Sequence, residues 1–390
     1  MNQAVILAAG EGQRLRPFTV TKPKVMLSIA GKPILQYVVE ALAQNGIRSI
    51  VLVVGYRKEQ VFDYLGSGEQ FGVDITYITQ QRQLGTAHAL AQVKAVAESE
   101  FLVLPGDNLI EADAIARFVA VKAEAMLVKR IDNPTRYGVV TIENGMVKDI
   151  TEKPKEAKSN VVNTGIYAFT TEIFSFIEDN LDIPGVLNNM LAQGYPISAQ
   201  EADGTWLDVV YPRDILNIND AVLRQIRANL GGIIETPVSI KGPVSVGKDT
   251  VIRSNSYIVG PVVIGNNCDI GPNVCILPAT SIGDNVVISS FNNVKNSVIG
   301  NDVNIGPGCM IQDSVIDSGC FIKGHFTAYS GETDVKSDEH RLVSIGVMLG
   351  EDCNLGNNVT AQPGVILGNY CQVQALKMLS GRLPDKSLVV

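Results

Sequence analysis

Between residues 234 and 294 an aliphatic side chain returns every six positions: Ile234, Ile240, Val246, Ile252, Ile258, Ile264, Ile270, Ile276, Ile282, Ile288 and Val294. Glycine follows it at Gly247, Gly265, Gly271 and Gly283. After a slip of one residue the pattern resumes at Ile299-Gly300, Ile305-Gly306 and Ile311, and it returns at Leu349-Gly350, Leu355-Gly356 and Leu367-Gly368. A helix buries side chains with a period near 3.6 and a strand with a period of 2, so neither explains the spacing. Short strands joined by tight corners do. Three such sides close a triangular coil of about 18 residues, with the aliphatic residue inside and Gly or Asn at corners that need a positive φ.

The repeat resembles the hexapeptide-repeat, left-handed parallel β-helix; the handedness comes from the resemblance, since the period alone does not set it. Residues 326–341 are charged, break the pattern and are expected to loop out of the coil. Ser380-Gly381-Arg382-Leu383-Pro384-Asp385 reads as a turn before a last short strand. All six cysteines lie in this half, at Cys268, Cys275, Cys309, Cys320, Cys353 and Cys371, with no CxxC pair. That spacing argues against zinc, and a chain of this length without a secretion signal argues against a disulfide framework. Small buried side chains are the expectation.

The first half has a different rhythm. Residues 4–9 form a continuous apolar run, as in a parallel strand buried on both faces. Helical spacing follows at 33–45, a buried strand at 49–54, a helix at 58–65, a strand at 74–78, a helix at 86–96 and a strand at 101–104. This alternation implies a mostly parallel, doubly wound α/β sheet. Beyond it, 137–142 and 146–150 flank Asn144-Gly145 as a hairpin, 162–169 reads as a strand, and 212–230 as a long helix ending at Gly231-Gly232. Domains are therefore expected at 1–230 and 231–390. The net charge of −8 argues against nucleic acid as a partner, and no charge-free apolar stretch reaches the ~20 residues of a membrane span. With no basic n-region before the first apolar run, a cytoplasmic location is expected.

The loop after the first strand carries the chemistry. Leu7-Ala8-Ala9-Gly10-Glu11-Gly12-Gln13-Arg14-Leu15-Arg16-Pro17 is a glycine-rich turn whose N–H groups could cradle phosphate. It is neither a dinucleotide fingerprint, since Leu15 stands at the third glycine, nor a Walker A motif. Arg14 and Lys24 supply positive charge around it. Together with Lys22-Pro23-Lys24, the loop resembles the signature of sugar-1-phosphate nucleotidyltransferases. Later segments recur in the family's order: Gln80-Gln81-Arg82-Gln83-Leu84-Gly85-Thr86-Ala87-His88, Pro105-Gly106-Asp107-Asn108, Tyr137-Gly138-Val139, Glu152-Lys153-Pro154, Asn163-Thr164-Gly165 and Trp206-Leu207-Asp208. With the coil appended, the whole chain resembles the archaeal-type bifunctional N-acetylglucosamine-1-phosphate uridylyltransferases/glucosamine-1-phosphate acetyltransferases, close to glucose-1-phosphate thymidylyltransferases. The implied fold is a Rossmann-like nucleotidyltransferase domain followed by the β-helix.

The resemblance implies a residue set. Arg14, Lys24 and Lys153 would be catalytic, the first two beside the departing pyrophosphate and Lys153 at the sugar phosphate. Leu7, Ala9, Gly10, Gly12, Gln80, Gly85 and Thr86 would bind the nucleotide, with Gln80 and Gly85 reading the base edge. Gly138, Glu152 and Asn163 would bind the sugar. Asp107 and Asp208 would hold Mg²⁺, which suits one or two carboxylates plus phosphate oxygens. The family usually has Gly two residues after Asp208, where this chain has Val210. His88 and Trp206 read as packing residues. Substrates would be UTP or dTTP with N-acetylglucosamine or glucose 1-phosphate, and the protein a homo-oligomer, a trimer or a dimer of trimers.

In the bifunctional relatives the β-helix uses acetyl-CoA and a histidine general base in a Pro-His-Leu-x-Tyr segment. This chain reads Pro307-Gly308-Cys309-Met310-Ile311 there. His325 and His340 are the remaining candidates, so acetyl-CoA is implied only if a second activity is retained. Three readings stay open: a nucleotidyltransferase with a structural coil, a bifunctional enzyme, and an inactive regulatory subunit that binds nucleotide sugar. Retention of Arg14, Lys24, Asp107, Lys153 and Asp208 together argues against the third.

Overall fold

The computed structural model describes residues 1–334 and 342–390, and the side chains of all of these except 333, 334, 342 and 343. His340 lies outside the described residues. The chain divides into two compact units. The first comprises Met1–Glu11, Lys22–Met26 and Ile34–Asp208, and the second Gly12–Thr21, Leu27–Pro33 and Val209–Val390.

The first unit is built on nine strands: β1 (Gln3–Ala8), β2 (Ser49–Val54), β3 (Asp74–Thr79), β4 (Glu100–Pro105), β5 (Ala125–Arg130), β6 (Gly138–Glu143), β7 (Met146–Glu152), β8 (Val161–Thr170) and β9 (Ser198–Glu201). Their order across the sheet is β3-β2-β1-β4-β8-β5-β9-β7-β6. The first four are parallel, as expected, whereas β8 pairs antiparallel with both β4 and β5. The sheet is thus mixed: β8 and β7 run antiparallel to their neighbours, while β9, reached after α5, pairs parallel with β5. Helices α1 (Ile34–Gln44), α2 (Lys58–Leu65), α3 (Thr86–Ala91), α4 (Ala112–Val119) and α5 (Ile183–Ala192) cover it. Alternation along β1 explains the continuous apolar run: Ala4, Ile6 and Ala8 pack with α1 and α4, while Val5 packs with α3 and α5. Helix α3 stops at Ala91, short of the expected 96. The strand order reverses between β1 and β4, which opens a crevice at their carboxyl ends.

In the second unit, three parallel sheets of nine, nine and eight strands stack coil on coil, as a hexapeptide repeat demands. The expected inward column is buried: Ile252, Ile258, Ile270, Ile276, Ile282 and Ile288 have no exposed surface. The one-residue slip has a structural counterpart, since Ile282 pairs with Ile299 and Ile288 with Ile305, so that coil has one residue fewer. Corner residues with positive φ are chiefly Asn and Asp, among them Asn255, Asn267, Asn285 and Asp302. Most repeat glycines serve another purpose than the expected one. A Cβ on Gly265 would lie 2.5 Å from the Gly283 carbonyl, so the glycine admits the neighbouring coil's backbone. Five cysteines are buried and Cys275, on an outward position, is half-buried.

Two boundaries differ from expectation. The helix expected to reach 230 ends at Leu223 (Asp214–Leu223), because Asn229–Leu230 already pairs with Val244–Val246 as the first coil strand. That helix belongs to the second unit: buried Asn219 donates to Ala279 O (2.9 Å) and accepts from Ser281 Oγ (2.7 Å). The insertion also starts later than 326. Phe326 is fully buried and Thr327–Ala328 continues the coil; a hairpin of Gly331–Asp334 and Leu342–Ile345 then leaves it, and Val347–Leu349 rejoins. Among the described residues no helix is long and apolar enough to cross a membrane.

The coil's stability can be tested at one column. Ile288 is fully buried between Ile270 and Ile305. Ile288→Ala should cost about 2–5 kcal/mol in chemical denaturation, because stacked coils on both sides limit collapse of the cavity. A cost below about 1 kcal/mol would show that this column is not a packed core.

Candidate active site

Strand β1 ends in the crevice. Leu7 O accepts from Gly106 N (2.9 Å) and Ala9 O from Tyr56 N (3.3 Å), which tie its end to neighbouring loops. Gly10 is exposed, its φ is not positive, and a Cβ there would meet no atom within 4 Å. Neither strain nor crowding inside the protein requires glycine at that point, which leaves room for a ligand. Gly12 is left-handed (φ 71°) and opens a short 3-10 turn, Gln13–Leu15, that exposes Arg14 and buries Leu15. This turn lies in the Gly12–Thr21 segment of the second unit.

Asp107 follows β4, and Asp208 ends the strand Trp206–Asp208. The two come together because Trp206–Asp208 pairs antiparallel with Asn108–Ile110, setting Asp208 opposite Asn108. Asn108 is itself anchored, its side chain donating to Thr164 O at 3.2 Å. The Lys24 ammonium reaches both carboxylates, forming a close ion pair with Asp107 and lying 3.4 Å from Asp208. Burial works against its charge, but the Asp107 and Asp208 carboxylates more than offset that and hold Lys24 above the ordinary lysine range. A cation already sits where two carboxylates converge, so the residues fit a divalent ion; among the described residues no third acidic, histidine or cysteine side chain joins them. Val210 has no positive φ, so the backbone there makes no glycine-only demand.

Gln80, Gly85, Thr86 and His88 form a second group. Gln80 is buried; its Nε2 lies 3.1 Å from Gly85 O and 2.8 Å from His88 Nδ1. Thr86 Oγ1 accepts from Ile183 N at 3.0 Å, which docks α3 onto the start of α5. His88, read from sequence as packing alone, is thus a partner of the base-reading candidate.

Gly138, Glu152 and Asn163 meet in a third group. Gly138 pairs with Glu152 across the β6–β7 hairpin, and a Cβ on Gly138 would stand 2.9 Å from Glu152 Oε2 and 3.6 Å from Asn163 Cβ. Lys153 takes a left-handed φ of 42° at the hairpin's end, with its half-exposed ammonium 3.4 Å from Glu152. Asn163 Oδ1 accepts from Gly165 N (2.8 Å) and its Nδ2 donates to the Tyr167 hydroxyl (2.7 Å). Tyr167 is buried and stacked on Phe169, and burial holds its hydroxyl in the neutral form. Sequence reasoning missed Tyr167; its place four residues beyond Asn163 was the available signal. Tyr167→Phe should raise the sugar-phosphate KM about 3–10-fold with little change in nucleotide KM, since it frees one end of the Asn163 amide. Equal effects on both KM values would deny it that role.

Residues 3–225 match the nucleotidyl transferase family, 234–330 the GMPPB C-terminal domain, and 346–375 the hexapeptide repeat of succinyl-transferase. The chain is 32% identical to the bifunctional protein GlmU of Methanococcus maripaludis, covering 99% of this chain and 96% of that one. It is 31% identical to the bifunctional sugar-1-phosphate nucleotidylyltransferase/acetyltransferase of Sulfurisphaera tokodaii, with 95% of each chain covered. The crystal structure of a putative glucose-1-phosphate thymidylyltransferase from Bacillus anthracis superposes with a TM-score of 0.53 at 32% identity, over 59% of this chain and 97% of that one.

Proposed function

Since the chain belongs to the nucleotidyl transferase family, we propose that it joins UTP or dTTP to N-acetylglucosamine 1-phosphate or glucose 1-phosphate, releasing pyrophosphate. A sugar-phosphate oxygen attacks the α-phosphorus; the bond to the bridging oxygen breaks and pyrophosphate leaves with the electron pair. No enzyme-bound intermediate is required, so the protein's task is to align two anions and offset their charge. The convergence of Lys24 with Asp107 and Asp208 beside the β1–β4 crevice is the observation that supports this most directly. Asp107 and Asp208 would hold Mg²⁺, which when bound supplies positive charge against the phosphates. Arg14 and Lys24 would stabilise the departing pyrophosphate, and Lys153 would receive the sugar phosphate. Leu7, Ala9, Gly10 and Gly12 would line the triphosphate, Gln80, Gly85 and Thr86 the base, and Gly138, Glu152 and Asn163 the sugar. The test is pyrophosphate release with Mg²⁺ over all four substrate pairs. No turnover with any pair would overturn the reading and favour a regulatory subunit.

A second reading concerns the coil. His325 stands one coil beyond Gly308 in the same column, as the register Met310–Thr327 requires. Its Nδ1 lies 2.7 Å from where a Gly308 Cβ would be, so the glycine opens space for the ring. We propose His325 as the base that would replace the missing histidine in acetyl transfer. Thiol release from acetyl-CoA with glucosamine 1-phosphate, lost in His325→Ala, would support it; no release in the unmodified protein would dispose of it. Exposed apolar residues on the coil, including Phe291, Leu376 and Met378, favour a homo-oligomer, proposed as a trimer. Its expected seat is the cytoplasm, and light scattering would read the assembly.

A further inference from the structure

The amide that reads the base is built one way round. Gln80 Nε2 lies 3.1 Å from the Gly85 carbonyl and 2.8 Å from His88 Nδ1. A carbonyl oxygen only accepts, so the group facing Gly85 must be the NH₂; the flipped amide would set oxygen against oxygen. The second amino proton falls to His88 Nδ1. That nitrogen must therefore present its lone pair and carry its proton on Nε2. With both amino protons committed inside the protein, Gln80 has Oε1 left for a ligand, and Oε1 is an acceptor.

The arrangement is held firmly. Gly85 has φ 145°, and a Cβ there would run into the Leu181 carbonyl. Ala87 N and His88 N donate to that same carbonyl at 3.0 and 3.5 Å, and Ile183 N donates to Thr86 Oγ1 at 3.0 Å. The first turn of α3 is thus tied to 181–183, and the imidazole is placed with it.

We propose that His88 is a positioning residue that fixes Gln80 as an acceptor-only reader. Set opposite N3 of a pyrimidine, that acceptor favours uracil or thymine, whose N3 carries a proton, over cytosine, whose N3 offers a lone pair. The inference rests on the nucleotidyltransferase reading above. Facing two acceptors without a proton between them leaves a buried polar group unpaired, and a preference of about 100-fold for UTP or dTTP over CTP is expected in the unmodified protein.

Two measurements test it. The first compares kcat and KM for UTP or dTTP and for CTP, at saturating sugar phosphate, in the unmodified protein, His88→Leu and His88→Asn. His88→Leu removes the acceptor and should cut the preference about tenfold, mainly through nucleotide KM, with sugar-phosphate KM unchanged. His88→Asn retains a side-chain acceptor and should restore most of it. An unchanged preference in His88→Leu, or equal loss in both variants for all substrates, would overturn the proposal. The second needs no variant: ¹⁵N shifts of His88 in the full chain should show a bare Nδ1 and a protonated Nε2, and the opposite tautomer would overturn it. If the unmodified protein turns over no nucleotide at all, the nucleotidyltransferase reading fails and carries this inference with it; turnover with an unaltered preference in His88→Leu sinks the inference alone.

Discussion

Asp107→Ala should lower the rate of nucleotidyl transfer about 10³-fold while leaving the coil and the proposed assembly intact. Asp107 and Asp208 converge on one ammonium, that of Lys24, at the carboxyl end of β4. Removing one carboxylate leaves a single anionic partner for Lys24 and for any divalent ion held there. Loss of one preorganised electrostatic partner in an active site commonly costs 10²–10³-fold, and loss of metal binding adds to that. Pyrophosphate release measures the first part and light scattering the second. Retained activity within about tenfold would remove Asp107 from the proposed metal-holding pair. Loss of assembly would mean that its role is structural.

Gly85→Ala should be the second large effect, acting on both binding and stability. At φ 145° an L side chain is strained by about 1–3 kcal/mol, and here the new Cβ would also strike the Leu181 carbonyl. The carbonyl of Gly85 holds the Gln80 amide, so relief of the clash by backbone movement disturbs the side chain proposed to read the base. Nucleotide KM is expected to rise about 10–100-fold, with the thermal midpoint falling by roughly 2–8 °C. An alanine variant with unaltered KM and midpoint would refute the placement of the α3 start against 181–183.

Much of the fold was legible because it repeats locally. Each coil is specified within its own residues, so the aliphatic column from Ile252 to Ile288 could be read directly, and it is buried throughout. The parallel strands β1, β2 and β4 were equally plain as apolar runs covered on both faces. Elements held by distant partners were less so. Strand β5 lies between β8 and β9, and its pairing with each is invisible in local spacing. The helix Asp214–Leu223 ended early for the same reason, since residues 229–230 had a better partner in the first coil than in another helical turn.

The site divides along the same line. Sequence alone determined the residue types and the loops that carry them: Gly10 after a buried strand, Asp107 after another, Asp208 far downstream, and the columns of the coil. Those follow from local spacing, which strands, turns and corners express within a few residues. Tertiary structure decided which of these side chains face one another. It set Asp208 beside Asp107 through a two-strand pairing, turned the Gln80 amide to within hydrogen-bonding distance of His88 Nδ1, fixed the Asn163 amide against Tyr167, and put His325 over Gly308. Each of these depends on contacts between residues distant in the chain or on the direction of a hydrogen bond. Spacing can suggest such a pair, as Tyr167 four residues beyond Asn163 does, but it does not set it; the pairing follows once packing has excluded water and fixed the partners of each polar group.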